Sequence, residues 1–319
     1  MYYLLILLIS FAALLWSANH LVMGATGLAS YYKLPPLIIG LTLVALATSA
    51  PEILTATKTF FAGVNDVTVG NTFGSNIANI GLILGIISLS RPLKNQSVYL
   101  QREVPLLFLA MLFIYSLMLD GYLGVIDCSL ALFACLLVTT WLLYNSRPSD
   151  IKKHVSHEFR QAAILGRSIK SYALSLLIGL VLLPLSSKYF VYTGAELAHF
   201  LGMKKLVAGL TIVALGSSIP ELVTSVIAIR KGADDLAIGT ILGSNLFNIL
   251  CIMLVPRLIN QAPITHTIIW RDMPVMILTI IIFLWISTKH KKRITRLHGG
   301  LLILVYCCYI LSLLINAAN

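Results

Sequence analysis

Leu41–Glu52 reads LTLVALATSAPE, and Leu210–Glu221 reads LTIVALGSSIPE, displaced by 169 residues. Each copy runs apolar, then breaks into small hydroxyl residues, a proline and a glutamate. Both lie inside long hydrophobic stretches, which places Glu52 and Glu221 where lipid penalises a charge. An ionised side chain at a bilayer centre costs roughly 2.5–3.5 kcal/mol on the lenient insertion scale, so an acid kept there points to function. Two acids at matching positions of two halves sharpen that reading.

The duplication extends outward from these stretches. Gly40–Thr55 and Gly209–Thr224 agree at 10 of 16 positions, and GSNIANI (Gly74–Ile80) agrees with GSNLFNI (Gly243–Ile249) at 5 of 7. The same offset relates Asp66 to Asp235, Gly70 to Gly239, and Arg102-Glu103-Val104-Pro105 to Arg271-Asp272-Met273-Pro274. Shared apolar composition gives scattered leucine and isoleucine matches; it does not align proline, glutamate, asparagine and glycine in one register.

The 319 residues are 58% hydrophobic and 11% charged, the composition of a polytopic membrane protein. A transmembrane helix needs about 20 largely apolar residues. That length predicts about ten spans, near 3–30, 36–61, 67–90, 103–120, 123–145, 169–198, 205–229, 236–256, 272–288 and 297–316. Their apolar runs are continuous rather than alternating, which argues for helices and against a barrel. The expected fold is therefore an all-α membrane protein with helices two and seven broken. The polar stretch 146–168 is the natural boundary between a first five-helix half, 1–145, and a second, 169–319. Five spans per half is an odd number, so the second half enters the membrane in the opposite sense: an inverted-topology repeat, typical of secondary transporters.

The net charge of +11 does not indicate nucleic acid, because the basic residues lie between hydrophobic spans. Seventeen fall on one side, including Lys33, Arg91, Lys94 and the linker's basic residues; five, Lys58, Lys204, Lys205, Arg257 and Arg271, fall on the other. That bias puts the linker in the cytoplasm and both termini outside. The apolar first 30 residues lack a charged n-region, the first basic residue being Lys33, and read as a retained helix rather than a signal peptide. Cys128, Cys135, Cys251, Cys307 and Cys308 lie in apolar spans with no CxxC spacing, as small buried hydrophobes do.

The polar residues of the repeat suit a hard cation. Thr48, Ser49 and Glu52 share one helix face by their spacing. Pro51 has no N–H and clashes with the carbonyl one turn earlier, so carbonyls around Ala45–Thr48 are expected to leave the helix ladder. In a bilayer such carbonyls persist only where they line protein or a wet cavity. Span seven repeats the set with Ser217, Ser218, Pro220, Glu221 and carbonyls near Ala214. Spans three and eight add Ser75 with Asn79 and Ser244 with Asn248, each pair one turn apart. Gly70, Gly74, Gly239 and Gly243 are expected to let helices approach closely. Calcium takes 6–8 oxygens at about 2.3–2.6 Å from carboxylates, carbonyls and amides. No histidine or cysteine stands among these residues, which argues against zinc or copper.

At these residues the sequence resembles the calcium/cation antiporter superfamily, most closely the prokaryotic sodium/calcium exchangers. The resemblance rests on GLTLVALATSAPEI with GSNIANI and GLTIVALGSSIPEL with GSNLFNI, and covers nearly the whole chain. It implies ten helices, with spans two, three, seven and eight around the ions and spans one and six sliding past them. By motif, calcium would be held by Glu52, Glu221 and the carbonyls of Thr48 and Ser217. Sodium would use the same glutamates with Ser49, Ser75, Ser218, Ser244 and the carbonyls of Ala45 and Ala214, while Asn79 and Asn248 flank the central position. Some relatives carry aspartate where this chain has Asn248, and potassium-dependent relatives tend to be acidic in that motif, so potassium co-transport is disfavoured. Proton-coupled relatives tend to show Gly-Asn-x-x-Glu, absent here.

The expected activity is exchange of calcium for sodium across a prokaryotic plasma membrane, with those ions and the bilayer as partners and no covalent cofactor. A calcium/proton or potassium-dependent antiporter on the same scaffold is the alternative; a channel or a non-transporting scaffold are rivals of another class. No nucleophile–base pair, phosphate loop or ATPase motif marks an enzyme. Stoichiometry and oligomeric state are not written in these motifs.

Overall fold

The computed structural model describes residues 2–61, 63, 65–94, 100–144, 168–202, 214–252, 254, 256–258, 263–289 and 293–318. Nearly all the described secondary structure is helical, so the chain is an all-α membrane protein. Among the described residues, six helices are long and apolar enough to cross a bilayer, seven if one bent pair counts as a span. The expected linker 146–168 lies outside the described residues save Ser168, as does the expected start of span seven at 205–213.

Contacts divide the chain into two compact units, 1–54 with 139–244 and 55–138 with 245–319. Each unit draws on both sequence halves, so compactness and repeat follow different boundaries.

In the first unit, Tyr2–Tyr32 runs against Ile169–Phe200. Small side chains make that approach possible. A Cβ on Gly179 would stand 2.6 Å from Leu21 Cα, and one on Gly24 would stand 2.6 Å from Leu176 Cα. The hydroxyls of Ser17 and Ser186, again 169 apart, meet at 3.4 Å. Leu14, Ala18, Leu21, Val22 and Ala25 form the buried stripe of the first helix, whereas Leu4, Leu5, Leu8 and Phe11 are exposed. In water such a face would be a liability; against hydrocarbon it is the expected surface.

The second span is broken. Pro36–Thr48 and Ala50–Thr59 meet at 44°. Ser49, between them, has φ −81° and ψ 1°, the sparsely allowed bridge region in which many active-site residues sit. Ser218 takes the same place between Ala214–Ser217 and Ile219–Arg230, with φ −90° and ψ 3°. A proline two residues on, Pro51 or Pro220, withholds the N–H that would continue the ladder. Asp234–Phe247 packs on the first part of span two through Gly239, set against the Leu37 carbonyl, and Gly243, set against the Leu41 carbonyl. Close approach is thus realised at Gly239 and Gly243. It is not realised at Gly70 or Gly74, where an added Cβ would meet nothing within 4 Å.

The second unit holds Asn65–Ala78, continued through a π-helical turn, Asn79–Leu84, into Gly85–Ser90. It also holds Leu100–Met118, most of Val125–Tyr144, the π-turn Asn248–Ile252, the span Ile268–Lys289, which opens on its own π-turn Ile268–Asp272, and Arg296–Ala318. A Cβ on Gly81 would stand 3.0 Å from Tyr306 Cβ, so the last helix lies close over the Asn79–Leu84 turn. Leu93–Lys94 pairs antiparallel with Arg293–Ile294, joining two loops distant in sequence, and Tyr122 bridges to Pro263 in the same way. Two adjacent-residue ion pairs recur at the 169 offset: Arg102 with Glu103 at 3.2 Å, and Arg271 with Asp272 at 2.7 Å.

Candidate functional site

The expected ligand residues fall into two groups, one in each unit. In the first unit, both glutamates open the helix that follows their break. Glu52 lies in the first turn of Ala50–Phe61, and Glu221 in the first turn of Ile219–Arg230. Helix N-termini carry unpaired N–H groups and the positive end of the dipole, which favours a carboxylate there. Glu52 is 2% exposed and Glu221 0%. Glu52 sits within the Coulomb field of Glu221, so the two acids act on one another.

Around Glu221 a short chain of hydroxyls closes. Ser244 Oγ donates to Glu221 Oε1 at 3.4 Å, and Thr48 Oγ1 and Ser244 Oγ stand 3.1 Å apart. Residues from the second, seventh and eighth expected spans are therefore in contact. The outstanding feature is what lacks a donor. Both carboxylate oxygens of Glu52, Glu221 Oε2 and Ser218 Oγ are buried without a hydrogen-bond partner, and Ser49 Oγ has at most a weak contact with the Glu221 carboxylate. Buried polar atoms are rarely left so, and each unpaired one costs about 1–3 kcal/mol, more if charged. A cluster of such oxygens is a destabilised arrangement that a cation relieves.

Ser217 is buried beside them, and Ala214 begins its helix. One backbone expectation needs correction. The carbonyl of Ala45 is not released from the ladder, because it accepts both the Ser49 N–H at 2.9 Å and the Thr48 hydroxyl at 3.1 Å. The proline acts further along, and the break falls at Ser49 instead.

In the second unit, Ser75 is buried and donates to the Asn71 carbonyl at 2.7 Å, which spends its proton and leaves its oxygen lone pairs as acceptors. Asn79 and Asn248 each stand at the start of a π-turn. Such turns recur at functional sites. Asn79 Nδ2 donates to Asn245 Oδ1 at 2.9 Å, and Asn248 Nδ2 donates to Asn76 Oδ1 at 3.1 Å. The carbonyl oxygens Asn79 Oδ1 and Asn248 Oδ1 are buried with no donor. Sequence reasoning passed over Asn76 and Asn245. The signal for them was present, since both are the invariant asparagine of GSN in the two copies.

Chemically, the group in the first unit offers carboxylate and hydroxyl oxygens, and the group in the second unit offers amide oxygens. Each is a ligand type that hard cations take.

Residues 2–145 and 171–315 match the family model described as sodium/calcium exchanger protein. The chain is 34% identical over 314 residues to the inner membrane protein YrbG of Escherichia coli (strain K12), covering 96% of this chain and 97% of that one. It is 26% identical over 343 residues to the sodium/calcium exchanger MaX1 of Methanosarcina acetivorans, covering 97% of each. Its fold matches the solved structure of the sodium-calcium exchanger NCX_Mj soaked with 2.5 mM Na+ and 0.1 mM Ca2+, with a TM-score of 0.84 at 25% identity over 98% of this chain and 99% of that one.

Proposed function

The chain belongs to the sodium/calcium exchanger protein family, and from that premise we propose that it is a secondary active antiporter moving calcium out of the cytoplasm in exchange for sodium by alternating access. The observation that carries this reading is the buried pair Glu52 and Glu221, whose oxygens are left largely without protein donors. Two carboxylates neutralise one divalent ion, or share monovalent ions. Burying an unpaired charge costs several kcal/mol. An empty, doubly ionised site therefore resists being carried across, while a loaded one does not. That asymmetry enforces exchange over leak, and the ion gradients supply the energy.

Calcium is assigned to Glu52, Glu221 and the main-chain carbonyls of Thr48 and Ser217. Sodium is assigned to the same glutamates with Ser49, Ser75, Ser218 and Ser244, and to the carbonyls of Ala45 and Ala214. Asn79 and Asn248 flank the central position. For Ala45 to serve, its carbonyl has to give up one of two hydrogen bonds, most cheaply that from Thr48.

The architecture proposed is ten spans in two inverted repeats, 1–145 and 169–319, joined by a cytoplasmic linker at 146–168, with both termini outside. Two loop pairings support it. Lys94 pairs with Arg293, and both loops are assigned to the cytoplasm; Tyr122 pairs with Pro263, and both loops are assigned outside. The name of the relative YrbG, an inner membrane protein, supports a plasma-membrane location.

The test is calcium efflux from loaded proteoliposomes at clamped pH. External sodium is expected to drive it, potassium to leave it unchanged, and Glu52→Gln and Glu221→Gln each to abolish it. Efflux driven by a pH gradient alone would move the coupling to protons. Calcium current that persists without a counter-ion would make the protein a channel.

A further inference from the structure

Asparagine presents an acceptor oxygen at one end of its amide and a donor NH2 at the other. Only the oxygen end of Asn79 or Asn248 can face a cation, and something has to hold it there. Four asparagines in the second unit form a closed relay. Asn76 Nδ2 donates to the main-chain carbonyl of Asn245 at 3.2 Å, and Asn245 Nδ2 donates to the main-chain carbonyl of Asn76 at 3.0 Å. A main-chain carbonyl can only accept. Each of these amides is therefore fixed with its NH2 inward and its Oδ1 outward. Asn76 Oδ1 then accepts from Asn248, and Asn245 Oδ1 accepts from Asn79. Those two residues in turn have to present their NH2 groups to the relay. What remains free on each is the carbonyl oxygen, and both are buried without a donor.

We propose that Asn76 and Asn245 are positioning residues: two main-chain carbonyls, read through their amides, dictate that Asn248 and Asn79 offer oxygen and not NH2 to the transported ion. The inference rests on the exchange function proposed above and adds the means by which its neutral ligands are aimed. All four side chains are at most 1% exposed, so water does not substitute for a missing partner.

A carboxylate has oxygen at both ends and needs no aiming. The decisive experiment is therefore a double-mutant cycle on the full-length purified protein, read by calorimetric titration with calcium in sodium-free buffer. Asn76→Ala is expected to raise the calcium dissociation constant about tenfold when residue 248 is asparagine. The same substitution is expected to change it less than about twofold in an Asn248→Asp background. The mirror cycle, Asn245→Ala with Asn79→Asp, serves if Asn76→Ala does not fold, as judged by melting without calcium. A residue that merely packs would cost the same in both backgrounds. An equal loss in both, or none in either, overturns the inference while leaving the exchange reading intact. A wild-type protein that binds no calcium overturns both.

Discussion

Replacing Glu221 with glutamine removes one of two buried acids and changes the shape of the site very little. Glutamine keeps an oxygen to accept from Ser244, as Glu221 Oε1 does at 3.4 Å. Its NH2 takes the place of Oε2, which has no hydrogen-bond partner. An unsatisfied buried NH2 costs about 1–3 kcal/mol. Loss of the repulsion from Glu52 acts the other way, so the calcium-free variant is expected to fold and melt close to the wild type. Calcium binding is another matter. Removing one partner of a buried ion pair costs about 3–5 kcal/mol, which is about 150- to 4,000-fold in dissociation constant at 1.4 kcal/mol per decade. At calcium one hundred times the wild-type dissociation constant, the wild type gains about 2.7 kcal/mol of stability. The variant gains about 0.3 kcal/mol or less by the same relation. Thermal melting with and without calcium measures this directly. The remaining carboxylate still neutralises a monovalent ion, so stabilisation by sodium is expected to survive. A variant that folds and keeps more than about 2 kcal/mol of calcium stabilisation would refute the assignment of Glu221 as a calcium ligand.

Ser218→Ala removes a buried hydroxyl that has no partner, and Ser49→Ala one held at most weakly by Glu221. Each should leave melting unchanged or raise stability by up to about 1 kcal/mol, while raising the sodium concentration needed for half-maximal exchange severalfold; unchanged sodium dependence would remove them from the ligand set. Gly243→Ala drives a methyl into the Leu41 carbonyl and to 2.7 Å from Ala45 Cβ, and is expected to cost about 1–3 kcal/mol in chemical denaturation. Gly74→Ala, which meets nothing within 4 Å, is expected to be neutral or slightly stabilising in the same measurement.

What the residues announced in advance follows the physics of the bilayer. Glu52 and Glu221 stand out because lipid makes an acid conspicuous, and Pro51 and Pro220 locate the breaks to within two residues because a missing N–H has a local effect. The π-turns at Asn79–Leu84 and Asn248–Ile252 were not legible. Their sequences, apolar after the leading asparagine, carry nothing that marks a wider turn. Asn76 and Asn245 were passed over for a related reason: nothing local tells an asparagine that binds from one that aims its neighbour. Gly70 and Gly74 share the motif of Gly239 and Gly243 but not their close contacts. Equal spacing in two copies does not guarantee equal surroundings. Nor did sequence foresee that Ser244 would link Thr48 to Glu221, a junction made only by the tertiary fold.

The two long helices of the first unit have 31 and 32 residues. At 1.5 Å per residue they are about 46 and 48 Å long, against a hydrocarbon thickness of about 30 Å. Tilt absorbs part of the excess. The rest is reserve length, worth up to about three turns. A piston that overruns its cylinder at both ends can travel a full turn, about 5.4 Å, and still fill the bore. Under the exchange proposed above, a slide of the pair Tyr2–Tyr32 and Ile169–Phe200 by one turn would still leave enough helix to span the hydrocarbon.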